Sequence, residues 1–77
     1  MRKRKRYIEF NEMPSLPGRK TRRVMVMNTS GIELGMIYWW PHWRQYTFSP
    51  ATATIFNSAC LDQIHAKLVQ MHEEHTL

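Results

Sequence analysis

Residues 34–48, Leu-Gly-Met-Ile-Tyr-Trp-Trp-Pro-His-Trp-Arg-Gln-Tyr-Thr-Phe, leave a chain of this size few ways to fold. Six aromatic residues (Tyr38, Trp39, Trp40, Trp43, Tyr46 and Phe48) cluster here around a Pro41-His42 break, with β-formers on both sides. Two such runs separated by a break predict a β-hairpin. With Pro41 and His42 as a two-residue connection, one face carries Gly35 opposite Phe48, Ile37 opposite Tyr46 and Trp39 opposite Arg44. The other carries Met36 opposite Thr47, Tyr38 opposite Gln45 and Trp40 opposite Trp43. The Ile37 face is expected to be the core face, because Gln45 and Thr47 point the other way. Phe48 would then cover the bare Gly35, and the Arg44 guanidinium would lie on Trp39. A slip of one residue would exchange the faces, so the pairing matters. A turn opened by proline fits a tight two-residue hairpin poorly, which leaves a longer connection open.

The opposite face is the unusual one. Met36, Tyr38, Trp40 and Trp43 are too apolar for an ordinary solvated surface, and they form the candidate interaction surface. Upstream, residues 24–28 read as a strand, and Asn28-Thr29-Ser30-Gly31 places Asn first and Gly last in a turn. An even number of loop residues would set Val24 and Val26 beside Ile37, sending Met25 and Met27 out with Met36. An odd number would put the methionines inside, and the first is favoured because β-branched side chains suit a packed pleated face. Downstream, Ser49-Pro50 ends the hairpin, residues 51–55 cross irregularly and Phe56 inserts into the core. Asn57 or Ser58 is positioned to cap a helix whose buried stripe is Leu61, Ile64, Leu68 and Met71. The expected architecture is α+β: a three-stranded antiparallel meander (22–28, 32–40, 43–48) with one C-terminal helix (58–74) packed on one face.

Seventy-seven residues make one small domain, near the lower limit for an unaided core. No apolar run approaches the ~20 residues of a membrane span. The basic start is not followed by the apolar stretch of a secretory signal. One cysteine, Cys60, excludes an intrachain disulfide and fits a cytosolic chain.

Charge divides the chain. Residues 1–23 hold nine cations (Arg2, Lys3, Arg4, Lys5, Arg6, Arg19, Lys20, Arg22 and Arg23) against Glu9 and Glu12. Residues 24–77 hold Arg44 and Lys67 against four carboxylates. A basic, flexible arm (1–21) thus precedes a slightly acidic single domain (22–77). Such an arm seeks polyanions, although a merely solubilising tail has the same composition. Within it, Tyr7, Ile8 and Phe10 either add a short edge strand or cover the apolar outer face; residues 13–18, with two prolines and a glycine, form a loop.

Enzyme chemistry finds little to work with. Cys60 has no base within one helical turn, the acidic residues form no pair with acid/base spacing, and no Gly-rich phosphate loop exists. His65, His72 and His75 lack the spacing of a zinc helix and read as solvated, so neither metal nor cofactor is expected.

The run Leu34-Gly35, Ile37, Trp39, Trp43-Arg44, Tyr46, Phe48, then Phe56, Cys60-Leu61 and Ile64 resembles small uncharacterised proteins of bacteriophages and prophages. Their pattern is roughly LGxIxWYxxWRxYxF, followed by a phenylalanine and a CLxxI helix start, and the likeness spans residues 22–70. Trp40 stands where tyrosine is usual, and the basic arm lies outside the pattern. The resemblance implies a viral accessory protein in the cytoplasm of a bacterial host; it carries no activity or site, and implies that the matching residues are mainly core. The paired basic clusters at 3–6 and 19–23 also have the form of a bipartite nuclear signal, which a phage-like body argues against.

Two functions follow as expectations. The first is nucleic-acid binding, with Arg2, Lys3, Arg4, Lys5, Arg6, Arg19, Lys20, Arg22, Arg23 and Arg44 meeting phosphates. Tyr38, Trp40 or Trp43 would stack on bases, or the strand ribbon would enter a major groove. The second is inhibition or modulation of a host protein through the adaptable Met- and Trp-rich face, which also suits a homodimer.

Overall fold

A computed structural model describes residues 7–75. Four strands, β1 (Ile8–Met13), β2 (Arg23–Asn28), β3 (Glu33–Trp40) and β4 (Gln45–Pro50), precede one helix, α1 (Ser58–His75). They form one antiparallel sheet in the order β1-β2-β3-β4, with each strand beside its neighbours in sequence.

The sheet has four strands where the sequence predicts three. The extra one, β1, lies inside the stretch assigned to the basic arm and pairs along its whole length with β2, from Ile8 opposite Asn28 to Met13 opposite Arg23. Its reason is burial. Alternation sends Ile8, Phe10 and Glu12 to the core side, where Ile8 is 1% exposed and Phe10 packs against the core. The first six residues, with the expected Arg2–Arg6 cluster, lie outside the described residues.

The remaining core side is the expected one. Val24, Val26, Ile37 and Tyr46 are buried together with Ile64 and Met71 of α1. The turn itself is odd, residues 29–31 between the paired Asn28 and Ile32, with Gly31 N–H donating to the Asn28 carbonyl and the Asn28 side chain accepting from the N–H groups of Ser30 and Ile32. The bulge beside it adds the residue that returns the valines to the core side. Val24 therefore stands opposite Ile37 and Met25 opposite Met36, before a bulge at Val26/Met27.

The hairpin register, however, is displaced by two residues. Ile37 stands opposite Phe48, and Trp39 opposite Tyr46. The connection is Pro41 to Arg44, closed by Trp43 N–H to the Trp40 carbonyl (3.2 Å) and Arg44 N–H to the Pro41 carbonyl (3.2 Å). Proline fixes φ near −65° at the turn's first inner position, so the twist of a two-residue hairpin is out of reach. The four-residue connection closes instead with Arg44 at φ 52°. Arg44 is thus a turn residue rather than a partner of Trp39, whose ring meets His75 (centroids 4.5 Å apart). A shift of two preserves the faces, and Phe48 still packs over Gly35.

Asn57 caps α1, its side-chain oxygen accepting from Cys60 N–H at 2.8 Å. The buried stripe is rotated from the expected one. Leu61 is 52% exposed, and Cys60 packs against the core in its place, above Ile64, Leu68 and Met71. Phe56 meets Phe48 edge to face, with centroids 5.5 Å apart.

Candidate functional site

The outer face of the sheet begins with a turn. Leu16-Pro17-Gly18-Arg19 has Pro at the second position and Gly at the third, where φ is 75°, and Arg19 N–H donates to the Leu16 carbonyl at 3.0 Å. This is the chemistry of a type II turn. The Ser15 hydroxyl donates to the Thr21 carbonyl (3.3 Å), closing the loop 14–22 on itself. Between that loop and the middle of the sheet lies an open pocket of about 310 Å³. Leu16, Met36 and Tyr38 give it apolar walls, Arg19 and Arg23 give it charge, and no carboxylate lines it. Among the described residues neither arginine has an ion-pair partner.

From the pocket an aromatic row continues along β3. Tyr38 and Trp40 meet edge to face with centroids 6.3 Å apart, and Trp40 and Trp43 do so at 6.4 Å. Trp43 sits in the turn rather than opposite Trp40, which leaves it 65% exposed. Met36 and Tyr38 are half-buried on this face, and Trp40 is exposed.

The structure separates the arginines that the sequence groups. Alternation sends Arg23 outward beside Met13 and Arg22 to the core side. There Arg22 grips both carboxylate oxygens of Glu12 (3.0 and 2.7 Å) and also bonds Glu74, tying β1 to the end of α1. Its backbone N–H donates to the Tyr46 hydroxyl at 3.1 Å. Arg22 is therefore occupied as a cross-link. Arg44 is exposed at the far turn and Lys20 is exposed in the loop; neither lines the pocket. Leu16, which the sequence offers as a cover for the outer face, forms one wall of the pocket there. Thr21 is the lining residue that sequence reasoning passed over, and the Pro-Gly pair is the readable sign of the turn that brings both in.

The cross-link makes an acid-sensitive contact. The hydrogen bond from Arg22 holds the Glu12 carboxyl below its ordinary 4.5. Between the lowered value and 4.5 the unfolded chain binds more protons, so this stability is present above about pH 4.5 and is lost as pH falls through the folded value. The Arg22 and Glu12 side chains are 31% and 50% exposed, so the effect is expected to be at most about 1 kcal/mol. Thermal melts from pH 7 to 3 should show Glu12→Gln starting less stable and losing less on acidification than the unaltered chain.

His72 and His75 do structural work, contrary to the solvated expectation, whereas His65 is exposed as expected. His72 Nε2 accepts the Tyr46 N–H (2.8 Å) on the outer edge of β4, and His75 packs on Trp39. Among the described residues no three His, Cys, Asp or Glu side chains come together to hold a metal. No described helix is long and apolar enough to cross a membrane.

Comparison with known proteins places the chain. Over 69 residues, 88% of this chain and 87% of its counterpart, it is 35% identical to an uncharacterised 9.3 kDa protein of Acholeplasma phage L2. This chain belongs to that phage protein's family. The aligned span is longer than residues 22–70, so the family likeness is not confined to the aromatic hairpin and helix start. No protein-family model and no solved structure matches the phage-family chain.

Proposed function

We propose that this phage-family protein is a small, non-enzymatic accessory protein that binds nucleic acid in the cytoplasm of its bacterial host. The basic arm supplies electrostatic affinity and the outer sheet face supplies contact. One observation carries the reading: Arg19 and Arg23, with no carboxylate partner among the described residues, line a pocket beside Tyr38 at the start of an aromatic row. Cations beside exposed rings are the pairing that phosphates and bases ask for. A mobility shift with DNA and with RNA at low salt tests it, and no shift with either would remove it.

A second reading is favoured by the exposure of Trp43, which an interface with a host transcription or defence protein would bury. Trp43 stands in a turn and outside the core, so Trp43→Ala is expected to leave the melting temperature unchanged. On this reading it would abolish capture of a host protein from nuclease-treated lysate. Capture that survives the substitution would count against the row as a protein-binding surface.

A further inference from the structure

We propose that the pocket beside Tyr38 takes one unpaired base of a nucleic-acid strand, with Arg19 and Arg23 on its phosphate, so that the protein prefers single strands to duplexes. The inference rests on the nucleic-acid reading above and narrows it.

The shape of the site selects the ligand. At about 310 Å³ the pocket lies at the small end of ligand sites, which run from about 300 to 1,000 Å³. Its occupant must be compact, apolar on the side facing Leu16, Met36 and Tyr38, and anionic on the side facing the arginines. A bare phosphate would leave the apolar walls unused, and an apolar side chain would leave two cations without a partner. A nucleotide meets both demands, its base on the ring and its phosphate on the guanidinium groups.

The same geometry excludes paired bases. In a duplex the base faces are covered by their neighbours, and only a base drawn out of the stack can enter a pocket. The row beyond the pocket agrees. Its rings stand 6.3 and 6.4 Å apart, nearly twice the ~3.4 Å between stacked nucleotides. A strand running from the pocket past Trp40 to Trp43 must therefore be extended and unstacked, with each ring taking whatever base arrives. Such a track has little sequence preference.

The test uses the full chain and three labelled probes of equal length: oligothymidylate, an abasic deoxyribose-phosphate strand and a duplex. Fluorescence anisotropy at one fixed salt concentration should show oligothymidylate binding at least about tenfold tighter than the other two. Tyr38→Ala should weaken oligothymidylate by about 5- to 150-fold and leave the abasic strand unchanged. Because Tyr38 is half-buried, Tyr38→Leu serves as the second variant, keeping apolar bulk but removing the ring; it should show the same selective loss. Arg23→Gln should lower the salt slope on oligothymidylate by about 0.7. Equal affinity for all three probes, or a Tyr38 variant that folds and weakens every probe alike, would overturn the pocket assignment while leaving general nucleic-acid binding in place. Failure of every probe to bind, with a phosphopeptide or host protein captured instead, would overturn both.

Discussion

Gly35→Ala is expected to cost at least about 3 kcal/mol of folding stability, the largest effect of an alanine at any of the three glycines. A Cβ at Gly35 would lie 2.4 Å from the Ser49 carbonyl oxygen and 2.7 Å from two atoms of the Phe48 ring. Moving the ring would also disturb its edge-to-face contact with Phe56. The carbonyl belongs to β4, and β3 is held between Val26 on one side and Pro50 on the other, so neither backbone can shift alone. A chain of this length has a total stability of roughly 4–12 kcal/mol, and each kcal/mol moves the melting temperature by about 4–8 °C. Thermal melts followed by far-UV circular dichroism should therefore show a fall of at least about 12 °C. Gly31→Ala is the control. Gly31 shares a positive φ (88°) but has nothing within 4 Å, so it should cost only the αL penalty, about 1 kcal/mol. Equal losses at the two sites would mean that Phe48 does not lie against Gly35.

The faces of the sheet were legible in the sequence, and the register was not. Strand alternation depends only on odd and even positions, so Ile37 and Tyr46 fall in the core whether the hairpin pairs as first expected or two residues further along. The register depends on what the turn can do, and that is decided by Pro41 together with the willingness of Arg44 to adopt φ 52°. Likewise β1 was masked by charge. Glu12 occupies a core-side position at the exposed rim, where Arg22 grips both its oxygens from ten residues away. A linear reading sees basic and acidic residues in a row, and assigns a tail.

The candidate site divides in the same way. Tyr38 and Trp40 point outward by alternation, which the sequence shows directly. The pocket is different, since it exists only where the loop 14–22 returns over β3, an arrangement set by contacts distant in the chain. The arginine pair illustrates the cost of reading charge without geometry: adjacent residues 22 and 23 have opposite fates, one neutralised by two carboxylates and one on the outer face with no ion-pair partner among the described residues.

Deleting residues 1–6 should nearly abolish the proposed nucleic-acid binding at physiological salt while leaving the fold intact. The proposal sets seven cations on phosphates, Arg2, Lys3, Arg4, Lys5 and Arg6 of the arm together with Arg19 and Arg23 of the pocket. Each phosphate neutralised on a single strand contributes about −0.7 to the slope of log affinity against log salt, so full engagement gives about −5. Raising salt from about 50 to 200 mM would then weaken the full chain roughly a thousandfold, and the shortened chain, at a slope near −1.4, less than about tenfold. Anisotropy titrations across that range give both slopes directly. An unchanged slope would mean that the arm does not reach phosphates, and the affinity would have to come from the sheet face alone. The cut must stop short of Ile8, which is 1% exposed and begins β1. A deletion running through Phe10 removes core side chains and part of the strand that Glu12 anchors to Arg22. Its melting temperature should fall steeply, whereas the six-residue deletion should melt with the full chain, and that contrast separates an effect on binding from an effect on folding.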